Sequence, residues 1–291
     1  MPTPDRCSRP SIPRRRDGRP PGRAHHGDGR VVRCARRPLD EQALDAAVDS
    51  AISWLHEVDE RFTPFLAESD VSRLAYGRLL EAEAHPDVRA VLEMCDELTV
   101  DSMGAFDARA WRPDRRLDPS GFVKGWSVQH AADLLVAAGL RSFAINAGGD
   151  IVACGRPTAF EAWRVGVRHP DRADPVAGVL SRTDRAVATS GAYERGDHIR
   201  DPRTGHAPND LRSVTVVGPS LTWADAYATT AFVMGADGLG WVAGHPGYDA
   251  YAITRDDRVV WTKGVDRYLA VSTAEPGSQR RQAVPERVPP N

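Results

Sequence analysis

Helical and strand-like patterns follow one another irregularly along this chain, and their order decides which fold classes it can adopt. Apolar residues recur at helical spacing in four segments, which begin near Asp40, Pro86, Gly121 and Trp223. Six short apolar runs predict strands, at residues 143–146, 151–153, 163–167, 214–217, 250–254 and 259–262. Because these strands and helices do not alternate regularly, the sequence predicts an α+β fold rather than a doubly wound parallel sheet.

Charge separates the start of the chain from the rest of it. The net charge is −2, but residues 1–37 hold eleven arginines against three aspartates, so the remaining residues carry −10. An acidic remainder disfavours a nucleic-acid surface. The basic segment lacks apolar periodicity and interleaved aromatic residues, so we expect disorder rather than a nucleic-acid arm. Its composition is also typical of an incorrectly assigned start. We expect a folded domain at 38–270 and a second disordered tail at 271–291.

Cysteine usage and hydropathy exclude several classes of protein. The four cysteines are scattered without paired metal-ligand spacing, which predicts free thiols rather than a disulfide framework or a zinc site. No apolar run is long enough to span a membrane. The first residues have charge but no apolar core of a secretory signal, so a cytoplasmic location is the default expectation.

The segment DPSGFVKGW, residues 118–126, has the features of a helix start that can bind an anion. Asp118 and Ser120 are predicted to cap the helix, and Gly121 would let its first turn approach a ligand closely. Lys124 lies one turn further on, an arrangement that suits a phosphate. The alternative is an ordinary capped helix with Lys124 in solvent.

The segment TWADAYATTAF, residues 222–232, predicts a carboxylate and a hydroxyl on one helix face. With Thr222 as the cap, Asp225 falls in the first turn and Thr229 one turn further along the same face. These are hard oxygen ligands of the kind that Mg²⁺ accepts. The alternative is that Asp225 only complements the helix dipole.

Two further segments are predicted to be loops. Residues 188–205, ATSGAYERGDHIRDPRTG, contain almost nothing apolar, and polar loops on a rigid scaffold often carry function. Within them His198 is best suited to moving a proton near neutral pH, although an idle surface histidine is the alternative. The segment NAGGD, residues 146–150, predicts either a tight hairpin or a wall for a flat ligand, and no helix follows its glycines as a Rossmann fingerprint requires.

Taken together and in order, these segments resemble the ApbE family, the FAD:protein FMN transferases. The stretches that carry the resemblance are SGFVKGW, NAGGD, ATSGAYERGDHIRDPRTG and SVTVVGPSLTWADAYATTAF. Two stretches upstream, RFTPFLAESDVSRL at 61–74 and GAFD at 104–107, are similar to that family's flavin-contacting segments. The resemblance covers roughly residues 40–262 and implies an α+β fold of mixed sheets flanked by helices around an FAD-binding cleft.

The resemblance also implies a role for individual residues. The positions that match FAD contacts are Phe65, Ala105, Phe106, Asp107, Asp118, Lys124 and Arg200. The backbone carbonyl of Gly121 and the side chains of Asp225 and Thr229 match ligands of a Mg²⁺ ion beside the pyrophosphate. His198 matches a histidine that assists the acceptor.

The implied reaction transfers FMN from FAD to a Thr or Ser hydroxyl, in the flavinylation motif of an acceptor flavoprotein, through a phosphoester bond. AMP leaves, a metal ion offsets charge at the pyrophosphate, and a base helps the hydroxyl attack. One alternative is an FAD diphosphatase, with water as the nucleophile at the same site. The other is a non-catalytic FAD-binding protein. Two departures from the family pattern favour this non-catalytic alternative. Ala228 stands where many members carry a second acid, and Met-Gly-Thr is lacking before Pro38.

Overall fold

The computed structural model describes residues 24–27, 30–34, 40–110, 116–158, 161–168, 176–182, 184–191 and 199–268. Its α-helices are α1 (Glu41–Phe62), α2 (Asp70–Ala75), α3 (Pro86–Asp101), α4 (Ser120–Ala137), α5 (Leu221–Met234) and α6 (Gly238–Ala243). Its strands are β1 (Ala24–Gly27), β2 (Arg30–Cys34), β3 (Phe143–Ala147), β4 (Asp150–Cys154), β5 (Trp163–Arg168), β6 (Val176–Arg182), β7 (Arg185–Gly191), β8 (Leu211–Gly218), β9 (Asp249–Thr254) and β10 (Val259–Trp261). The predicted α+β class is confirmed.

Eight of these strands form one antiparallel sheet in the order β1-β2-β3-β4-β7-β8-β9-β10, and β5 pairs with β6 in a separate hairpin. Successive side chains of a strand point to opposite faces. On β8, Val214 and Val216 join the main core, whereas Val217 joins a second cluster with Tyr251 and Ile253. Both faces of the centre of the sheet are therefore covered, which explains why the run at 214–217 is apolar throughout.

Three helices are layered on one face of the sheet. Helix α5 packs on β7 and β8, α4 packs on α5, and α1 packs on α4. Since α5 is enclosed by the sheet and by other helices, it is buried almost all round, as its composition of Ala, Thr and aromatic residues allows. No helix in the described part of the chain is long and apolar enough to cross a membrane.

The predicted start of α5 is wrong by two residues. Ser220 precedes the helix, and Leu221 is its first residue, so Thr222 is not the cap and Asp225 lies in the second turn. The reason is tertiary, because the Leu221 N–H donates to Gln129 Oε1 of α4 at 2.8 Å. A side chain from another helix therefore satisfies a backbone donor that a local cap would otherwise serve.

The predicted loop at 188–205 is wrong in its first four residues, which belong to β7. Ala188 is fully buried, and Ser190 is also in the interior. Their small side chains let α5 pack closely against β7, so a segment without large apolar residues still contributes to the core. Residues 192–198 lie outside the described residues.

Predicted disorder at 1–37 is wrong for β1 and β2. Strand β2 pairs with β3, with Val32 opposite Ile145, and both Val32 and Cys34 are buried. Strand β2 obtains hydrogen bonds from β3, which is distant in sequence, so local composition could not reveal this pairing. Residues 1–23, 28–29 and 35–39, and the predicted tail at 271–291, lie outside the described residues.

Candidate functional site

A cleft of about 380 Å³ opens where the end of α1, the start of α4, the end of β7 and the middle of α5 meet. The α1 side is formed by Phe62 and by residues 63–65, which follow it. Ser120, Gly121 and Lys124 line the α4 side. Two segments that the sequence singled out separately, 118–126 and 222–232, therefore contribute to one concave site.

The two helices come unusually close at Gly125. A Cβ atom at this position would lie 2.5 Å from the Leu221 carbonyl oxygen and 2.6 Å from Asp225 Cβ. The Gly125 N–H donates to Asp225 Oδ2 at 2.9 Å, so the missing side chain also permits a direct bond between the helices. Gly125 was not among the predicted site residues, although a glycine inside a helix costs about 1 kcal/mol relative to alanine and so requires a reason.

Two buried carboxylates flank the ammonium group of Lys124. The Lys124 Nζ lies 2.5 Å from Asp150 Oδ2 and 3.3 Å from Asp225 Oδ1. Both carboxylate side chains are at most 3% exposed, whereas that of Lys124 is 41% exposed. The pKa of Asp225 is raised to about 7, chiefly by burial and also by the charge of Asp150, against the opposing effects of Lys124 and the Gly125 N–H. A carboxylate perturbed in this way inside a cleft is typical of a functional site.

The hairpin between β3 and β4 places Asp150 beside the Lys124 ammonium. Gly148 and Gly149 take positive φ values of 62° and 101°, and Asn146 Oδ1 accepts from the Gly149 N–H at 3.0 Å. The predicted tight hairpin is therefore confirmed, and Gly148 also lines the cleft. Asp150 Oδ1 accepts from the Thr189 N–H at 3.0 Å. Asp150 was not among the predicted site residues, and the sequence signal for it was an acid directly after the glycine turn.

Thr229 and Asp225 both line the cleft, which confirms that they share one face of α5. The Thr229 hydroxyl is 3.0 Å from the Ser190 hydroxyl on β7. Gly121 lines the cleft opposite them, and the Phe106 ring lies behind it, 3.3 Å from where a Cβ atom would be. The structure thus brings the three predicted metal-binding residues to one cleft.

These residues fit a Mg²⁺ ion in their chemistry. A carboxylate, a hydroxyl and a peptide carbonyl are all hard oxygen donors. Burial disfavours the charged form of Asp225 and raises its pKa, and a divalent cation beside the carboxylate would stabilise that charged form. No group of three or more His, Cys, Asp or Glu able to hold a metal occurs among the described residues, and Ala228 is buried without a donor. Mg²⁺ commonly binds through one or two carboxylates together with substrate phosphates, so a single acid suffices.

The residues predicted to contact FAD divide into two groups. Phe65 and Lys124 line the cleft, and the Phe65 side chain is one of the most exposed large apolar groups of the described chain, at 89%. Ala105 and Phe106 are buried, and they do not line the cleft.

Asp107, Asp118 and Arg200 do not line the cleft either. Asp107 Oδ1 accepts from the Arg109 N–H at 2.7 Å, and the Arg200 side chain donates to the Gly205 carbonyl at 3.1 Å. Asp118 Oδ1 accepts from the Ser120 N–H at 3.1 Å, so it does serve the start of α4, whereas Ser120 is the first helical residue rather than a cap. His198 lies outside the described residues, and its neighbour Ile199 is buried and lines the cleft.

A larger cavity, of about 1960 Å³, lies beside α6, β9 and β10 and shares no lining residue with the cleft. Its buried acid, Asp249, accepts hydrogen bonds from Thr262 at 3.0 Å and from Arg267 at 2.6 Å. Volume alone would favour this cavity. The chemistry favours the cleft, because there the buried Asp225 carboxylate, whose pKa is raised, meets Lys124 at the start of α4.

Comparison with known proteins points to one family. The model of the ApbE family matches residues 108–252. The FAD:protein FMN transferase of Treponema pallidum (strain Nichols) is 32% identical over 252 residues, which cover 77% of this chain and 69% of that protein. The protein of the same name from Escherichia coli (strain K12) is 30% identical over 154 residues, and the match covers 50% of this chain and 44% of that relative.

Solved structures of the family share the fold. The flavin transferase ApbE from Vibrio cholerae superposes with a TM-score of 0.72 at 22% identity, covering 85% of this chain and 98% of that one. The ApbE protein from Thermotoga maritima superposes with a TM-score of 0.73 at 20% identity, with the same coverage of each chain. The resemblance found in the sequence is therefore confirmed.

Proposed function

This chain belongs to the ApbE family, and on that premise we propose that it is an FAD:protein FMN transferase that binds FAD in the cleft between α1, α4 and α5. In the proposed reaction the FMN part of FAD passes to a Thr or Ser hydroxyl of an acceptor flavoprotein. The observation that carries this proposal is the convergence of Lys124, Asp225 and Thr229 on one cleft at a helix start.

The start of α4 suits the pyrophosphate of FAD. The helix dipole places partial positive charge at the start of a helix, which favours an anion there. Ser120 and Gly121 bring this end to the cleft, and the ammonium of Lys124 lies one turn further along. The exposed ring of Phe65 supplies a flat apolar surface for the isoalloxazine.

Asp225, Thr229 and the Gly121 carbonyl would hold Mg²⁺ in this site. When bound, the ion would offset the negative charge of the pyrophosphate and hold it in place. Hydrogen bonds within the chain hold two of these donor groups in place without the ion. The Gly125 N–H fixes the Asp225 carboxylate, and the Ser190 hydroxyl orients that of Thr229.

Transfer requires a poor nucleophile to attack phosphorus. We assign His198 as the base that takes the proton of the acceptor hydroxyl. A phosphoester bond forms between that oxygen and the phosphorus on the FMN side, the bond to the bridging oxygen breaks, and AMP leaves. Ile199, the residue that directly follows His198 in the sequence, lines the cleft, and this supports the assignment.

The test is an assay with purified protein, FAD, Mg²⁺ and a fragment of a flavoprotein that contains the acceptor motif. A fluorescent flavin band that survives denaturing electrophoresis would support transfer. Release of FMN and AMP without labelling of the fragment would instead show an FAD diphosphatase. Bound FAD without turnover would show a non-catalytic binding protein, the reading favoured by Ala228.

Replacing His198 with alanine should slow transfer at least about tenfold and leave FAD binding largely intact, because general-base catalysis contributes to the transition state rather than to binding. Single-turnover transfer and flavin fluorescence titration measure the two effects. His206→Ala is the matched control, since His206 lies shortly after His198 in the sequence, is exposed and does not line the cleft. An unchanged transfer rate in His198→Ala would remove the assigned role.

A further inference from the structure

The Lys124 ammonium lies between two buried carboxylates and is closer to one of them than to the other. Its Nζ is 2.5 Å from Asp150 and 3.3 Å from Asp225. Asp150 is held in turn by the Thr189 N–H of β7, so its carboxylate is fixed to the sheet rather than to either helix. The ammonium of a long flexible side chain is therefore drawn towards the sheet and away from α5.

This arrangement matters because a divalent cation and the Lys124 ammonium would both bind the Asp225 carboxylate. An ammonium that settles on Asp225 neutralises the charge that would attract a divalent cation and competes with it for the same oxygens. An ammonium anchored on Asp150 leaves Asp225 available. Asp150 does not line the cleft, so it affects a ligand there only through Lys124 or through its own charge.

We propose that Asp150 is a positioning residue, which anchors the Lys124 ammonium so that the Asp225 carboxylate stays open to a divalent cation. This inference rests on the proposed function, because it takes the cleft as the cation site. It adds a requirement on a residue that touches neither the cation nor FAD.

A double-mutant cycle tests the proposal through Mn²⁺ binding, measured from the electron paramagnetic resonance of the free ion in the presence of FAD and without acceptor. The variants are Asp150→Asn, Lys124→Met and the two combined. Asparagine retains an oxygen for the Thr189 N–H but loses the charge that holds Lys124. We expect Asp150→Asn to weaken Mn²⁺ binding about tenfold when Lys124 is present and less than about threefold in the Lys124→Met background, a coupling within the usual range for contacting residues.

Equal losses in both backgrounds would overturn the proposal, since they would show that Asp150 acts only through its own negative charge. Asp249→Asn is the matched control, because it removes another buried, ion-paired carboxylate that does not line the cleft and should leave Mn²⁺ binding unchanged. Wild-type protein that binds no Mn²⁺ would contradict the proposed metal site itself, which is a different outcome.

A metal-free crystal structure of Asp150→Asn gives a second readout that needs neither activity nor metal. In this variant Lys124 Nζ should lie closer to the Asp225 carboxylate than the present 3.3 Å. An ammonium that stays beside residue 150 would contradict the anchoring role, and one that turns into solvent would contradict the claim that anchoring is what keeps Lys124 away from Asp225. Unfolding curves of all variants exclude a simple loss of structure.

Discussion

Replacing Asp225 with asparagine should abolish flavin transfer and, at the same time, make the metal-free protein more resistant to unfolding near pH 8. The carboxylate is buried, and its pKa in the folded protein is about 7, above the ordinary value of 3.8. The folded state therefore binds this proton more tightly than the unfolded chain does. Ionisation of Asp225 costs no stability below about pH 4, costs progressively more up to about pH 7 and costs its full amount above that.

Asparagine removes this cost because it carries no charge and still offers an oxygen to the Gly125 N–H. Thermal unfolding in the presence of a chelator should show a higher midpoint for Asp225→Asn near pH 8 and little difference near pH 4. Asp237→Asn is the control, because Asp237 lies just after the same helix but is exposed. Equal midpoints for wild type and Asp225→Asn at both pH values would show that burial does not strain this carboxylate.

The loss of transfer in Asp225→Asn should be at least about a hundredfold, because the charge stabilisation supplied by a bound metal ion is worth several kcal/mol. A Mg²⁺ titration of the transfer rate measures it. A titration that matches the wild type would rule out Asp225 as a ligand. The combination of greater stability and lost activity is the signature of a site whose charge is maintained for function.

Replacing Gly125 with alanine should destabilise the protein by roughly 3 kcal/mol, even though alanine favours helices, because the new methyl group overlaps atoms that cannot move aside. One of these atoms is the Leu221 carbonyl oxygen at 2.5 Å, and another is Asp225 Cβ at 2.6 Å. Separation of α4 from α5 would also break the bond from the Gly125 N–H to Asp225, so transfer should fall with stability.

Urea denaturation measures the loss in Gly125→Ala as a lower midpoint. The matched control is Gly240→Ala in α6, where an added Cβ would meet nothing within 4 Å and the change should be neutral or slightly stabilising. If both variants unfold at the wild-type midpoint, the helices have room for a side chain at Gly125, and the close approach of α4 and α5 is not as described.

Much of the fold was predictable wherever the signal is local. Helix α1 has a regular apolar stripe, and Asp40 caps it by accepting from the Ala43 N–H. Helices α3, α4 and α5 were found in the same way. Helix α2 was missed, although its Ser69 cap offered a signal, because six residues give too little periodicity. Strand β2 was missed because its partner β3 lies more than a hundred residues away, and β1 was missed with it because β1 pairs with β2.

The candidate site shows the same division. Asp225 and Thr229 could be placed together from helical spacing alone, since four residues make one turn. The roles of Gly125 and Asp150 could not be predicted from the sequence. Gly125 acts through a hydrogen bond to a residue 100 positions later. Asp150 acts through Lys124, which contacts it only after the hairpin between β3 and β4 has formed. Sequence patterns therefore gave the candidate donors, and tertiary contacts showed what holds them in place.

The most direct test of the central claim is a crystal structure with FAD and Mn²⁺, with the ion located by its anomalous scattering. We expect manganese bound to the Asp225 carboxylate and the Thr229 hydroxyl, with the pyrophosphate at the start of α4 and the flavin towards Phe65. Manganese at another site, or FAD in the larger cavity beside α6, would contradict it.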